Sequence, residues 1–175
     1  MTSSLSVAAL RQEFDASFAL PPRETARDLV DLLAIRVAGR PYALRLAEVG
    51  GVATGRRATR VPSPLPALAG LVGLRGMLVA VFDLGVLLGH SPEAGTSRWV
   101  AVCGGRPDLA VAFNEVEGHL RLPPTALELR EDTAGGLVEQ VIRSESGLRP
   151  IVSIPWIVRV VSKQSGRGRP GKANS

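Results

Sequence analysis

At 175 residues the chain can bury a core unaided, and its single cysteine, Cys103, rules out an internal disulfide or a cysteine-built zinc cage. Hydrophobic residues make up 45% of it but aromatics only 4%, too few rings in series for a platform that stacks nucleic-acid bases. The net charge of +5 is concentrated at one end: residues 163–175 carry Lys163, Arg167, Arg169 and Lys172 and no acid, which leaves the rest of the chain at +1 and makes a specific nucleic-acid surface unexpected.

Residues 5–18, LSVAALRQEFDASF, space Val7, Leu10, Phe14 and Phe18 by three, four and four, one face of a helix. Ser6 offers an N-cap, and Pro21-Pro22 stops the segment. The period then changes. LVDLLAIRVAG (29–39) and YALRL (42–46), joined by Gly39-Arg40-Pro41, read as two strands and a turn. Further strands are predicted at Ala69–Gly73, Met77–Phe82, Trp99–Cys103, Leu109–Phe113, Glu115–Leu122, Gly136–Ile142 and Leu148–Ile154. The turn-rich pieces PSPLP, HSPEAGTS, GGRPD, RLPPT and RSESG separate them. Short strands so punctuated indicate an all-β barrel or sandwich. No apolar run approaches the ~20 residues of a membrane span and no secretory leader is evident, so a cytoplasmic protein without direct membrane insertion is expected.

A weak internal repeat refines this. LRGMLVAVFDLGVLLG (74–89) and LRPIVSIPWIVRVV (148–161) share Leu-Arg, a turn residue, an apolar strand and a short polar residue before a helix-compatible run. Asp83 and Ser153 hold the equivalent capping place, and Pro155 suits a first helical turn. Two similar halves, each closing with strand and short helix, imply two small barrels built alike.

No catalytic constellation emerges. His90 and His119 have no ligating partner three or four residues away, and no serine lies in a nucleophile elbow. Glu115/Glu117 and Glu128/Glu131 read as solvated faces, because nothing near them would push two pKa values apart. What remains suits binding. Arg75 interrupts the apolar stretch LVGLRGMLVAVFDL (71–84) between Gly73 and Gly76, in a turn where those glycines permit unusual backbone angles. A guanidinium cannot be left dry and unpaired. Arg75 therefore bridges internally, to Asp83 or Glu48, or presents its planar fork where a partner supplies the acceptor.

Residues 31 to about 161 resemble the CheW-like family, the adaptor domains of bacterial chemosensory systems. The likeness is carried by LLAIRVAGRPYALRLAEV (32–49), RVPSPLPALAGLVGLRG (60–76), MLVAVFDLGVLLG (77–89) and LAVAFNEVEGHLRLPP (109–124). The family reads asparagine-leucine-arginine-glycine where Gly73-Leu74-Arg75-Gly76 stand, then a strand containing proline where Ala80 stands, then Asp83-Leu84. The resemblance implies an all-β fold of two five-stranded, SH3-like barrels around a shared core, with short terminal helices, over residues 29–162. Residues 1–28 would be a helical extension and residues 163–175 a basic tail.

It also implies a non-catalytic scaffold with no cofactor and no small-molecule substrate. Its partners would be a chemoreceptor's cytoplasmic tip and the regulatory domain of a CheA-type histidine kinase. Arg75 matches the arginine of receptor and kinase coupling. A groove between the barrels, lined by Leu74, Met77, Val79 and Val111, would take the receptor tip. An edge with Leu46, Val49, Gly51, Ala58, Thr59 and Arg60 would meet the kinase. The chain departs from the family at Gly51, near which a glutamate is usual, at Glu139-Gln140, where glycine is usual, and at Ser153, usually aspartate. A specialised or auxiliary adaptor is one implication. The rival reading is a small-barrel nucleic-acid binder using the basic tail, which requires steeply salt-dependent binding. Since nothing apolar lies beyond Ala173, deleting residues 165–175 is expected to leave the melting temperature almost unchanged in a calorimetric scan.

Overall fold

The computed structural model describes residues 29–91, 97–129, 136–144 and 147–166. The predicted N-terminal helix (5–18) and the basic tail beyond Gly166 lie outside the described residues. Among the described residues, eleven strands fall into two sheets. The first orders β8 (Glu115–Leu122), β1 (Val30–Val37), β2 (Arg40–Arg45), β11 (Gly147–Val152), β10 (Val138–Ser144) and β9 (Leu127–Leu129). The second orders β3 (Val49–Thr54), β6 (Trp99–Cys103), β7 (Arg106–Phe113), β5 (Met77–Asp83) and β4 (Leu68–Leu74). Helix α1 (Leu84–Leu87) follows β5, and α2 (Ile154–Gly166) follows β11.

The runs of β-branched residues form the expected strands. Two strands escaped the sequence reading. β3 is Val-Gly-Gly-Val-Ala-Thr, weakened by two glycines, and β9 is three residues long. With β9 added, the first sheet has six strands rather than five.

The two sheets are built to one plan. In each, an antiparallel hairpin (β4–β5 or β10–β11) sits beside a strand that its second member joins in parallel (β7 or β2), and an antiparallel pair completes the sheet. β3, β4, β5, β6 and β7 correspond in turn to β8, β10, β11, β1 and β2. The second subdomain therefore reads straight along the chain, whereas the first is the same order cyclically shifted and draws strands from both ends of the chain. The caps match too: Asp83 Oδ1 accepts from the Val86 amide at 3.1 Å, and Ser153 Oγ from the Trp156 amide at 3.4 Å. Each satisfies a donor that a helix start would leave orphaned.

Strand alternation sorts the core into three layers. Phe82, Ala101, Cys103, Leu109, Val111 and Phe113 point from the second sheet into a shared core, meeting Ile35, Val37, Tyr42, Leu44 and Val152 of the first. Helix α2 adds Ile154, Ile157 and Val161, one face at steps of three and four. The residues between them point the other way. Val72, Leu74, Val79, Val81, Val100, Ala110 and Ala112 fill the second subdomain's interior, which contains no aromatic ring. Leu32, Ala43, Ile142 and Ile151 fill the first's.

Glu48 couples the subdomains. Its carbonyl accepts from Gly104 N at 2.7 Å, and its Oε2 accepts from Ile154 N at 3.0 Å, at the buried start of α2. Oε1 lies 3.4 Å from Arg45 Nη1, and Arg45 also donates to Gln140. Glu117, expected to be simply solvated, instead receives two arginines: Arg36 at 2.7 Å and Arg149 at 2.6 Å. Arg149 donates as well to the Tyr42 carbonyl at 3.0 Å, so this cluster ties β1, β2, β8 and β11 together.

Candidate partner-binding site

The β4–β5 hairpin turns through Arg75 and Gly76, whose φ angles are +48° and +79°. Two left-handed residues flanked by the Leu74–Met77 pair make the two-residue turn that matches strand twist. Asparagine or glycine normally takes the first position; an arginine there costs ~1–2 kcal/mol. Gly73 contributes no such angle. It is an ordinary strand residue, so only the glycine after Arg75 serves the turn.

The internal bridges considered for Arg75 do not form. Asp83 is committed to capping α1, and Glu48 to Arg45 and Ile154. Among the described residues no carboxylate pairs with Arg75, whose side chain is exposed. It lies instead over Gly51: a Cβ built at Gly51 would stand 3.6 Å from Arg75 Nη2. A glutamate at that position would meet the guanidinium directly.

Beneath Arg75 is a pocket of about 180 Å³, floored by Ala53, Leu74, Val79 and Val102 and rimmed by Gly51, Val52, Met77 and Pro107. Its outer lip is apolar and solvent-facing at Met77, which is 48% exposed, while Leu78, 72% exposed, points from the opposite face of the strand. A cation beside exposed apolar side chains, with no acid of its own, is equipped to receive an amphipathic acidic surface rather than to turn over a substrate. Among the described residues no cluster of three potential ligands could hold a metal. His90 bonds the Tyr42 hydroxyl at 2.9 Å, and His119 the Asp31 carboxylate at 2.7 Å, each in a structural pairing.

Of the predicted receptor-facing residues, Leu74, Arg75, Met77 and Val79 come together here, joined by Gly51 from the predicted kinase edge. Val111 does not. It is 0% exposed in the shared core, because β7 turns odd-numbered residues inward from Leu109 to Phe113. The pocket also lies at one end of the second subdomain rather than between the two, since every residue lining it comes from β3 to β7 and their turns. The predicted kinase edge is divided. Leu46 and Val49 are half-buried just before and at the start of β3, whereas Ala58, Thr59 and Arg60 lie beyond its far end. Val52 and Ala53 were missed with β3 itself, where their alternation after the two glycines was the one available signal; Val102 lies on β6, a predicted strand whose pocket-facing residue was not singled out.

Residues 31–161 match the CheW-like domain family. The chain belongs to that family. The chemotaxis protein CheW of Bacillus subtilis is 24% identical over 143 residues, covering 77% of this chain and 90% of that protein. The crystal structure of the scaffolding protein TtCheW from Thermoanaerobacter tengcongensis superposes with a TM-score of 0.63 at 17% identity, over 71% of this chain and 88% of that one. The CheW-like fold accounts for the two β subdomains, and the family's members are non-catalytic scaffolds and adaptors of chemotaxis signalling. Among the described residues no helix is long and apolar enough to cross a membrane.

Cys103 borders the same CheW-like pocket from below but is no reactive centre. Burial pushes its thiol up to about 11 from an ordinary 9.0. Two units at pH 8 mean about a hundredfold less thiolate than in the unfolded chain, so alkylation of the native protein is expected to be about a hundredfold slower than in denaturant. A folded-state value above the unfolded one stabilises fully below about 9 and is lost as pH rises through about 11. Equal native and denatured alkylation rates would contradict this.

Proposed function

We propose that this protein couples the cytoplasmic tip of a chemoreceptor to the regulatory domain of a CheA-type histidine kinase, working in the cytoplasm. The observation that carries the reading is Arg75: exposed, held in a costly backbone conformation, without a carboxylate partner among the described residues, and set above a pocket with an apolar lip. Strain retained at an exposed charged residue points to a use outside the fold. Family membership supports the adaptor role, and the absence of a glutamate at Gly51 supports a specialised variant of it.

Titration calorimetry with purified receptor tip and kinase regulatory domain from the native organism tests the proposal. Binding to both, weakened by mutations around the pocket, is the expected result; binding to neither overturns it. Gly51→Glu tests the specialised-variant part. A side chain is strained at this residue's φ of +157°, so a melting curve first checks that the variant is folded; in the folded variant the added carboxylate stands beside Arg75 and kinase affinity is expected to rise several-fold. Unchanged or weaker kinase binding would show that the missing glutamate does not limit this contact.

A further inference from the structure

The far end of the second subdomain carries a second pocket, larger and of different character, about 940 Å³ in volume. Its floor is the apolar interior face formed by Val72, Val81, Val100 and Ala112. Its wall is four exposed arginines: Arg56, Arg57 and Arg60 from the connection after β3, and Arg98 before β6. The acid lining it is Asp83, already spent on the start of α1. Among the described residues none of the four guanidiniums has a carboxylate partner.

Backbone contacts hold this wall in place. The Arg98 carbonyl accepts from Gly55 N at 3.3 Å and Thr54 Oγ1 at 3.1 Å, pinning one arginine beside the segment that bears the others. Thr59 and Leu71 exchange two backbone bonds of 2.7 and 2.9 Å, which lay Arg57 and Arg60 along β4. That approach is possible only because residue 70 is glycine: a Cβ there would lie 2.2 Å from the Thr59 carbonyl oxygen. The clustering of like charge is therefore a built feature of the loop.

We propose that this pocket docks an acidic peptide segment of a protein partner, its carboxylates on the arginine forks and one apolar side chain on the valine floor. Charge complementarity selects an acidic occupant, since four guanidiniums with no carboxylate partner among the described residues repel a basic segment and each can grip a carboxylate in bidentate fashion. The apolar floor selects a peptide over a small inorganic anion, which would leave it uncovered. The site shares no arginine with the Arg75 pocket, though its Ala58 and Arg60 also lie on the edge expected to meet the kinase.

The probe is a fluorescein-labelled synthetic peptide of Glu-Glu-Leu repeats, titrated by fluorescence polarisation against the full-length protein. Saturable binding to the wild type is expected, at least tenfold weaker in Arg57→Ala/Arg60→Ala and again in Arg56→Ala/Arg98→Ala. Each variant's melting curve checks that it is folded. The tail variant Arg167→Ala/Arg169→Ala should bind as the wild type does. No saturable binding, equal binding by the folded pocket variants, or loss of binding with the tail variant would overturn the proposal. So would displacement by inorganic pyrophosphate as effective as by unlabelled peptide, which would identify a small-anion site instead.

Discussion

Gly70→Ala should lower the melting temperature by roughly 6–12 °C, the equivalent of about 3 kcal/mol in a domain of this size. The added Cβ would stand 2.2 Å from the Thr59 carbonyl oxygen, 2.7 Å from the Thr59 carbonyl carbon and 3.1 Å from Arg60 N, all main-chain atoms that no rotamer change can move. The residue's φ of +143° is itself unfavourable for a side chain. To relieve the contact the loop must leave β4, which forfeits both Thr59–Leu71 backbone bonds, worth ~1 kcal/mol each. Gly73→Ala is the matched control. It lies on the same strand with an ordinary φ and nothing within 4 Å of its built Cβ, so it should be nearly neutral. Hydrogen exchange at the Thr59 and Leu71 amides should accelerate in the first variant and not in the second. Equal stability of the two would refute this account of the loop.

Reversing the charge at the hairpin tip, Arg75→Glu, should leave the fold intact and damage binding. The side chain is exposed and unpaired, so stability should move by no more than about 0.5 kcal/mol. A different residue in the left-handed position changes little, because glutamate pays much the same backbone cost. At an interface the arithmetic differs. Removing one half of a desolvated interfacial charge pair and placing a like charge opposite the partner's acid typically costs ~2–5 kcal/mol. Affinity for the receptor tip or the kinase domain should fall by about thirtyfold to several thousandfold, read by calorimetry beside an unchanged melting curve. A variant that melts earlier but binds as tightly per folded molecule would show that Arg75 serves the fold.

Much of the architecture was legible because its signals are local. Strands such as Met77–Asp83 and Trp99–Cys103 are dense in β-branched and apolar residues, and the two caps, Asp83 and Ser153, stood at matching places in a repeat. β3 was not legible, since Val-Gly-Gly-Val-Ala-Thr has weak strand propensity and is held by pairing with β6. The assignment of Val111 failed for a different reason. On β7 both faces are apolar, Leu109, Val111 and Phe113 on one and Ala110 and Ala112 on the other. Periodicity separates such faces without saying which meets the neighbouring subdomain. The fate of Arg75 was likewise open, because Asp83 is taken by the Val86 amide three residues on and Glu48 by Arg45 and the distant Ile154 amide.

The cyclic shift between the two sheets fixes an order of assembly on the ribosome. β1 and β2 emerge first, yet their sheet still lacks β8, β10 and β11, the last of which ends at Val152. The other sheet has all five strands once Phe113 has emerged, with its strand pairings confined to residues 49–113. Short-range pairings form faster than those that close a long loop. The middle of the chain should therefore fold first while the earliest-made hairpin waits. Nascent chains stalled shortly after β7 clears the exit tunnel should already protect the β4–β5 amides from exchange, while those of β1 stay open until synthesis has finished.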